Sequence, residues 1–426
     1  MNRRKFIFTA GATAAARAAA SVRPDILIIH SDQFRADALA VSGNPFVHTP
    51  NLDDLARNGV RFSNAYGTQA LCSPCRGSLL TGVYPHTTKV DHNIYKIPNA
   101  LKEPEYHLTP HWPGLLREAG YHTSYIGKWH LGEENPGIFD YYNGYNSLWP
   151  HWVGKPYESP YRADLETDDA IRVIKESRSQ PCALMVGYYP PHDPYTPPKK
   201  FYQYYSGKNL EHMEYYAAVS AIDWNVGRLL AALKETGREE DMLVIFTSDH
   251  GDTFGKRPGS SLGAPKTVCY DDSAKVPLIM RWPSRFPRGI EYRGGVSVAD
   301  LMPTILDAAG VPIPSRVQGR SRIPDIQKGD TGWREPVFME NVTGAPIPIG
   351  GKPALERAVR TQRWKLILRD HPRNELYDIT ADPAEKNDLF LYPDFVPEIK
   401  ELSRLIHDWG ERLDDPVAVE LSRKLL

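Results

Sequence analysis

Asp25-Ile26-Leu27-Ile28-Ile29-His30 (DILIIH), followed at once by Ser31, Asp32 and Gln33, is the stretch from which the fold is read. It is apolar, β-branched and too short for a helix, so it reads as a strand buried on both faces. Thr49 and Pro50 then supply an N-cap and a first-turn proline, Leu52, Leu55 and Ala56 share one helical face, and Gly59 ends the helix. The same alternation continues along the chain. Further strands are expected at Thr123 to Ile126, Ala183 to Tyr188, Met242 to Thr247 and Val276 to Met280. A helix is expected over Tyr215 to Leu233, with Ala218, Ile222, Val226, Leu229, Leu230 and Leu233 at helical spacing and Gly237 as its C-cap. Strands alternating with helices imply an α/β body, a large, mixed but mostly parallel sheet flanked by helices on both faces.

The pattern changes after about residue 330. Arg357 to Leu368 and Glu375 to Ile379 read as paired antiparallel strands and Pro397 to Trp409 as a closing helix. A main body over residues 21–330 and a smaller C-terminal α+β subdomain over 331–426 are therefore expected.

Composition agrees with a globular body. The 426 residues are 41% hydrophobic and 24% charged, which excludes disordered, collagenous and coiled-coil classes. Lys and Arg (51) balance Asp and Glu (52) for a net charge of -1, which argues against a nucleic-acid partner, since phosphate neutralisation needs a basic excess. An anionic substrate must be met by local charge. Four cysteines, Cys72, Cys75, Cys182 and Cys269, are too few for a disulfide framework.

The first 20 residues read as an export signal. Arg3, Arg4 and Lys5 form a basic start, a weakly apolar run extends from Phe6 to Ala16, and Ala18-Ala19-Ala20 offers a cleavage site. Arg3-Arg4 followed by Phe6 and Ile7 resembles a twin-arginine signal, so an exported, periplasmic or extracellular protein is expected. No other stretch approaches the ~18 continuous apolar residues of a membrane span.

Ligands of open α/β sheets bind outside the carboxyl ends of the strands, where loops converge. Four expected strands are each followed there by ionisable groups: His30-Ser31-Asp32-Gln33, Gly127-Lys128-Trp129-His130, Pro191-His192-Asp193-Pro194 and Ser248-Asp249-His250-Gly251-Asp252. Any one of them suits a solvated loop, but four together point to a single site.

Cys72-Ser73-Pro74-Cys75-Arg76-Gly77, followed by Ser78-Leu79-Leu80-Thr81-Gly82, carries the most specific signal. Pro74 suits the start of a helix, whose free N–H groups favour an anion, and the planar fork of Arg76 suits a tetrahedral oxyanion. The stretch resembles the C-x-P-x-R motif with trailing L-T-G of the formylglycine-dependent sulfatases, in the alkaline phosphatase superfamily. The resemblance runs along nearly the whole chain after the leader. Asp32-Gln33 and Asp249-His250-Gly251 are similar to its two metal motifs, with Gln in the second position as in its phosphonate monoesterase branch. Lys128 and His130 match G-K-x-H, His192 lies in a P-H-x-P-Y match, and Lys266 with Tyr270 resembles the lysine upstream of V-P-L-I. The loop Thr253 to Lys266 departs from the usual pattern. Arg363-Trp364-Lys365 and Glu375-Leu376-Tyr377-Asp378 resemble the family's C-terminal subdomain.

The resemblance implies an alkaline-phosphatase-like fold and a sulfuric ester hydrolase. Cys72 would be oxidised to 3-oxoalanine (formylglycine) by a formylglycine-generating maturation enzyme, and its hydrate would be the nucleophile. Asp32, Gln33, Asp249 and His250, with an oxygen at position 72, would hold one divalent metal. Ca²⁺ is the expected ion by its oxygen ligands, with Mg²⁺ or Mn²⁺ as alternatives given His250. Arg76, Lys128 and Lys266 would neutralise the sulfate, His192 would protonate the leaving alkoxide, and His130 would take the proton that collapses the sulfated intermediate.

Eight aromatics fall within the 23 residues from Phe139 to Tyr161, namely Phe139, Tyr141, Tyr142, Tyr145, Trp149, Trp152, Tyr157 and Tyr161. Aromatic rings suit sugar faces, and they equally suit packing. A sulfated carbohydrate, from small molecule to oligosaccharide, is therefore the expected substrate. The alternatives are an arylsulfatase, a phosphate or phosphonate monoester hydrolase of the same superfamily, and a non-catalytic glycan-binding protein.

Overall fold

The computed structural model describes residues 23–147, 149–176, 179–257, 265–343, 354–371 and 373–426. The expected leader at 1–20 and part of the loop before Lys266, residues 258–264, lie outside the described residues.

Twelve strands are present among the described residues. They are β1 Asp25–Asp32, β2 Val60–Tyr66, β3 His122–Lys128, β4 Tyr141–Tyr145, β5 Cys182–Pro191, β6 Met242–Ser248, β7 Lys275–Arg281, β8 Ile290–Ser297, β9 Val337–Thr343, β10 Ala354–Arg360, β11 Trp364–Arg369 and β12 Glu375–Asp378. The first eight form one sheet in the order β4-β3-β5-β1-β6-β7-β2-β8. Pairing is antiparallel only where β7 meets β6 and β2, and parallel at the five other contacts. The mixed, mostly parallel sheet expected from the alternation is what forms.

β1 shows why its sequence is an unbroken apolar run. Ile26 and Ile28 enter one buried cluster with Leu79, Leu80 and Met302, whereas Leu27 and Ile29 enter another with Ile222, Val226 and Leu229. A strand covered on both faces needs apolar residues at every position. The second cluster is covered by the helix Met213–Glu235, which ends at Thr236 and is followed by Gly237 at φ 69°. The helix after β1 spans Pro50–Arg57 behind Thr49.

The helix Cys72–Thr81 lies in the interior, and all ten of its residues are buried. It starts at Cys72 itself, two residues before Pro74, because Leu71 already occupies the cap and proline is tolerated in a first turn. Its end requires glycine. Gly82 adopts φ +69°, and a Cβ there would fall 2.9 Å from Val317 Cγ1.

β9 to β12 form a second, wholly antiparallel sheet in the order β12-β11-β10-β9. The expected strand run Arg357 to Leu368 is divided by a turn at Thr361–Arg363, where Thr361 N–H bonds to Trp364 O at 2.9 Å. The closing helix spans Val396–Leu413, and a further helix, Pro416–Arg423, packs beside it. Among the described residues no helix is long and apolar enough to cross a membrane.

The two sheets are tied by buried charge. Lys365, on β11, is fully buried, donates to Cys269 O at 3.1 Å, and pairs with Glu385 at 2.5 Å and with Asp271. Burial, with Asp271 adding to it, pushes Glu385 up to about 7 against the pull of Lys365. Replacing Lys365 by Met would strand these carboxylates. The variant should lose about 3–5 kcal/mol in denaturant melts at pH 8. Glu385 has a raised pKa in the fold, so its protonated form favours folding: the stability it confers is full below its unfolded pKa and is lost as pH rises through its folded value. The loss in Lys365→Met should therefore shrink at pH 5. A loss independent of pH would mean that Glu385 is not the group left stranded.

Candidate active site

β3, β5, β1 and β6 are neighbours in the sheet, and their carboxyl ends bring the expected residues together. Asp32 ends β1 and Gln33 follows it, Lys128 ends β3, His192 follows β5, and Asp249 and His250 follow β6. The first turn of the buried helix delivers Cys72 and Arg76 from beneath. Gly127 permits the close approach of β3 to β5, since at φ +99° a Cβ would sit 2.2 Å from Gly187 O. Gln33 (φ 62°) and His130 (φ 61°) adopt left-handed backbone, a conformation that costs of order 1–3 kcal/mol in non-glycine residues and clusters at functional sites.

Arg76 spans the two carboxylates. Its Nη2 lies 2.9 Å from Asp32 Oδ2, its Nε lies 3.1 Å from Asp249 Oδ2, and its Nη1 donates to Lys128 O at 2.7 Å. Lys128 Nζ takes the same Asp32 Oδ2 at 2.7 Å. With the Oδ2 atoms held by these cations, Asp32 Oδ1 is left to face the site, while Asp249 Oδ1 accepts from the backbone N–H groups of Gln33 at 3.1 Å and His250 at 3.0 Å. Asp32 Oδ1 lies 3.7 Å from Cys72 Sγ and 3.7 Å from His250 Nε2, and Asp249 Oδ1 lies 3.6 Å from the same ring nitrogen. Asp32, Cys72, Asp249 and His250 each present one ligand atom, all within 4.8 Å of one another.

Gln33 joins this group in a fixed orientation. Its Nε2 donates to Asp252 Oδ2 at 2.8 Å, so that its Oε1 turns inward, where it accepts from Lys266 Nζ at 3.0 Å. Tyr195 holds the same Asp252 oxygen from the far side. Oxygen donors from Asp32, Gln33 and Asp249 with one imidazole fit a hard divalent cation. A second cluster, His86, Glu340 and Asp415, has comparable spacing, but Arg357 already pairs with both of its carboxylates.

Lys266 stands among the same atoms, 3.5 Å from Cys72 Sγ, 3.3 Å from His250 Nε2 and 2.9 Å from His192 Nε2. It is carried there from outside the strand ends. Thr267, next in the chain, is β-branched yet has φ 67°; its N–H bonds to Ala70 O at 3.0 Å and its carbonyl accepts from Asn341 Nδ2 on β9. The C-terminal sheet thus clamps the peptide that presents Lys266.

Burial and the Asp32 carboxylate oppose ionisation of Cys72, but Lys128, Lys266 and His250 outweigh them and hold its thiol below the ordinary range. Burial and Asp249 push the thiol of Cys75 far up. Of these two thiols, Cys72 is the one primed for ionic chemistry. Burial, with Lys266 beside it, holds His192 well below its usual value, and burial with Lys128 does the same for His130, so both imidazoles are neutral near pH 7. His192 Nδ1 meets Asp193 O at 2.8 Å, leaving Nε2 to accept from Lys266; in this state the shared proton rests on Lys266. Neither ring nitrogen of His130 has a partner among the described residues. Three cations, Arg76, Lys128 and Lys266, surround two carboxylates, and a divalent ion would deepen the surplus. Such a site recruits an anion.

The structure brings Asp32, Gln33, Cys72, Arg76, Lys128, His192, Asp249, His250 and Lys266 into contact with one another, while the ring of His130, two residues after Lys128, lies 5.3 Å from that of Tyr95. Asn341 and Tyr189 contribute without having been expected, and Asp252 was expected only as a member of the ionisable run after β6. Tyr189 lies with its ring 4.2 Å from Lys128 Nζ and 4.8 Å from the ring of His192. Asp252 was visible as part of the acidic run after β6, whereas nothing in the sequence around Asn341 distinguishes it.

Residues 24–311 match the family model for sulfatases, and residues 264–411 match that for the C-terminal region of N-sulphoglucosamine sulphohydrolase. The chain is 29% identical to an ulvan-active sulfatase of Formosa agariphila, over 92% of this chain and 82% of the relative. It is 25% identical to an N-acetylglucosamine-6-O-sulfatase of Bacteroides thetaiotaomicron, over 92% and 87%. The structure of a Bacteroides fragilis protein named as the sulfatase yidJ superposes with a TM-score of 0.80 at 26% identity, covering 94% of this chain and 98% of that one.

If these atoms hold a cation, adding it should stabilise the fold. At a free concentration of 100 times Kd, Ca²⁺, Mg²⁺ or Mn²⁺ should contribute about 2.7 kcal/mol, read as a rise in Tm that a chelator reverses. Asp249→Asn should abolish the shift. A Tm that none of the three ions moves would exclude these residues as a cation site.

Proposed function

The chain belongs to the sulfatase family of sulfuric ester hydrolases, and we propose that it removes sulfate from sulfated carbohydrate using Cys72, as formylglycine, and one divalent cation. The observation that carries this reading is the convergence on Cys72 Sγ of His250 Nε2 at 3.3 Å, Lys266 Nζ at 3.5 Å, Asp32 Oδ1 at 3.7 Å and Lys128 Nζ at 3.8 Å. A nucleophile at position 72 is thereby aimed into a pocket of cations next to a set of metal-ligand atoms. The thiol sulfur stands in for the oxygen of the hydrated aldehyde.

Asp32, Gln33, Asp249 and His250 would hold the cation, Ca²⁺ by the preference of its oxygen donors. When bound, it acidifies the nucleophilic hydroxyl and draws charge off the sulfuryl oxygens. Arg76 fixes both carboxylates and, with Lys128 and Lys266, faces the sulfate oxygens. His192, with the proton held on Lys266 at 2.9 Å, delivers that proton to the departing alkoxide. His130, neutral and unpartnered, is free to accept one when the enzyme is regenerated. The maturation enzyme that oxidises Cys72, and export by a twin-arginine leader at 1–20, complete the proposal, with catalytic residues on 21–330 and a supporting subdomain over 331–426.

A carbohydrate leaving group is supported by the relatives' named substrates and by Trp149, 48% exposed and stacked on Tyr145, the register partner of Lys128. Half of the aromatic stretch is packing: Phe139, Tyr145, Trp152 and Tyr161 are buried. A second reading, phosphate or phosphonate monoester hydrolysis, is favoured by Gln33 in the ligand set. Rates on matched nitrophenyl sulfate, phosphate and phosphonate esters decide between the two.

Protein made in a host with the maturation enzyme should yield a peptide whose mass shows an aldehyde at Cys72 and an intact thiol at Cys75. Fully active enzyme with unmodified Cys72 would disprove the mechanism. His192→Ala should lose roughly 10²-fold or more on a sulfated sugar and much less on nitrophenyl sulfate, whose phenolate leaves without a proton. Equal losses on both would move the acid role to Lys266 alone.

A further inference from the structure

Lys128 and Tyr145 are register partners where β3 lies beside the edge strand β4, and Trp129 N–H bonds to Tyr145 O at 2.7 Å. Paired residues on neighbouring parallel strands point to the same face about 4.8 Å apart. The ground immediately outside the sulfate-facing Lys128 is therefore built on Tyr145. Tyr145 is itself buried and donates from its hydroxyl to Glu166 at 3.0 Å. Trp149 stacks on it, with ring centroids 4.9 Å apart and an interplanar angle of 10°, and remains half exposed.

Arg162 completes the group. Its guanidinium lies 4.8 Å from the Trp149 ring centre and 5.4 Å from that of Tyr145. It is anchored by Nε to Pro150 O at 2.9 Å and by its backbone N–H to His151 O at 2.8 Å. The ring of His151 in turn packs 4.9 Å from Tyr189, the residue under Lys128 Nζ. Among the described residues no carboxylate pairs with Arg162. Glu166, one turn along the same helix, is pushed up to about 8 by burial and is largely uncharged near neutrality. A fixed guanidinium with two unpaired amino groups thus stands at an exposed indole, one strand from the sulfate-binding lysine.

We infer that Trp149 and Arg162 form a second subsite, in which the indole stacks on a pyranose ring and the guanidinium pairs with a second anionic group of the substrate, a carboxylate or a further sulfate. The inference rests on the proposed sulfatase activity and narrows it: the substrates are saccharides carrying at least two anions, one cleaved and one only bound. A planar guanidinium matches either anion with two parallel hydrogen bonds, and stacking on the indole holds it in place.

Four substrates separate the possibilities: a sulfated disaccharide bearing a uronic carboxylate, the same compound with that carboxylate reduced to the alcohol, a disulfated disaccharide without a carboxylate, and nitrophenyl sulfate. Arg162→Met keeps the stem and removes the charge. It should raise KM about 10-fold for whichever doubly anionic substrate the wild type prefers, and much less for the reduced compound and nitrophenyl sulfate. The preferred substrate tells carboxylate from sulfate. Trp149→Ala should raise KM for all three saccharides more than for nitrophenyl sulfate. Equal changes for all substrates, or none, overturn the subsite.

Calorimetry on a Cys72→Ala background reads the subsite without turnover. The preferred disaccharide should bind about 10-fold more weakly to Cys72→Ala/Arg162→Met than to Cys72→Ala. Equal affinities, or no binding to either, overturn the subsite whatever the kinetics show. Arg162-dependent binding by a protein that hydrolyses no sulfate ester would leave the subsite standing and remove the activity.

Discussion

Two carboxylates, Asp32 and Asp249, end neighbouring parallel strands with no exposed surface, and the fold tolerates them because Arg76 lies between them. Apart from this guanidinium, the pair would repel in a medium that screens poorly. One planar group meets both Oδ2 atoms and the Lys128 carbonyl, linking β1, β6 and β3 to the buried helix that also carries Cys72. A lysine has the charge but not the fork, so it can satisfy one partner while stranding the others. The same bridge, with the Gln33 and His250 backbone N–H groups on Asp249 Oδ1, fixes how the two carboxylates face Cys72 and His250.

The second constraint arrives from the C-terminal sheet. Lys266 belongs to no strand, and its neighbour Thr267 sits in a conformation that a β-branched residue avoids. Asn341 on β9 and the Ala70 carbonyl hold that peptide from opposite sides, and Asn341 is itself steadied by Glu356 on β10 at 3.3 Å. The smaller sheet thus supports the candidate site through the Thr267 peptide.

How much of this was legible follows from where each element lies. β1, β5, β6 and β7 are covered on both faces and read as continuous apolar runs. β4 (YYNGY) and β8 (IEYRGGVS) are the sheet's two edges, where polar residues and glycines are tolerated, and β2 (VRFSNAY) lies next to an edge; none of the three carries the signal of a central strand. The turn between β10 and β11, Thr361-Gln362-Arg363, has no glycine, proline, Asn or Asp to mark it, so two strands read as one. In the site, residues next to strand ends or within the Cys72 motif were visible because local spacing places them. Asn341 and Tyr189 act across the fold, one through a distant peptide and the other through its ring face, and neither relation leaves a trace in local sequence.

The burial of the helix Cys72–Thr81 sets an order of events for the protein's biogenesis. Cys72 is 1% exposed, and no residue of its helix reaches the surface. An enzyme acting on this side chain could not grip the surrounding segment once the core of the larger sheet has closed around the helix. If Cys72 is oxidised as proposed, oxidation and collapse of the core would compete in time, and a chain that folded first would keep its thiol. Under the proposed oxidation of Cys72, slow folding around this helix would be an advantage, because the segment would be open to the oxidising enzyme only while it remains extended.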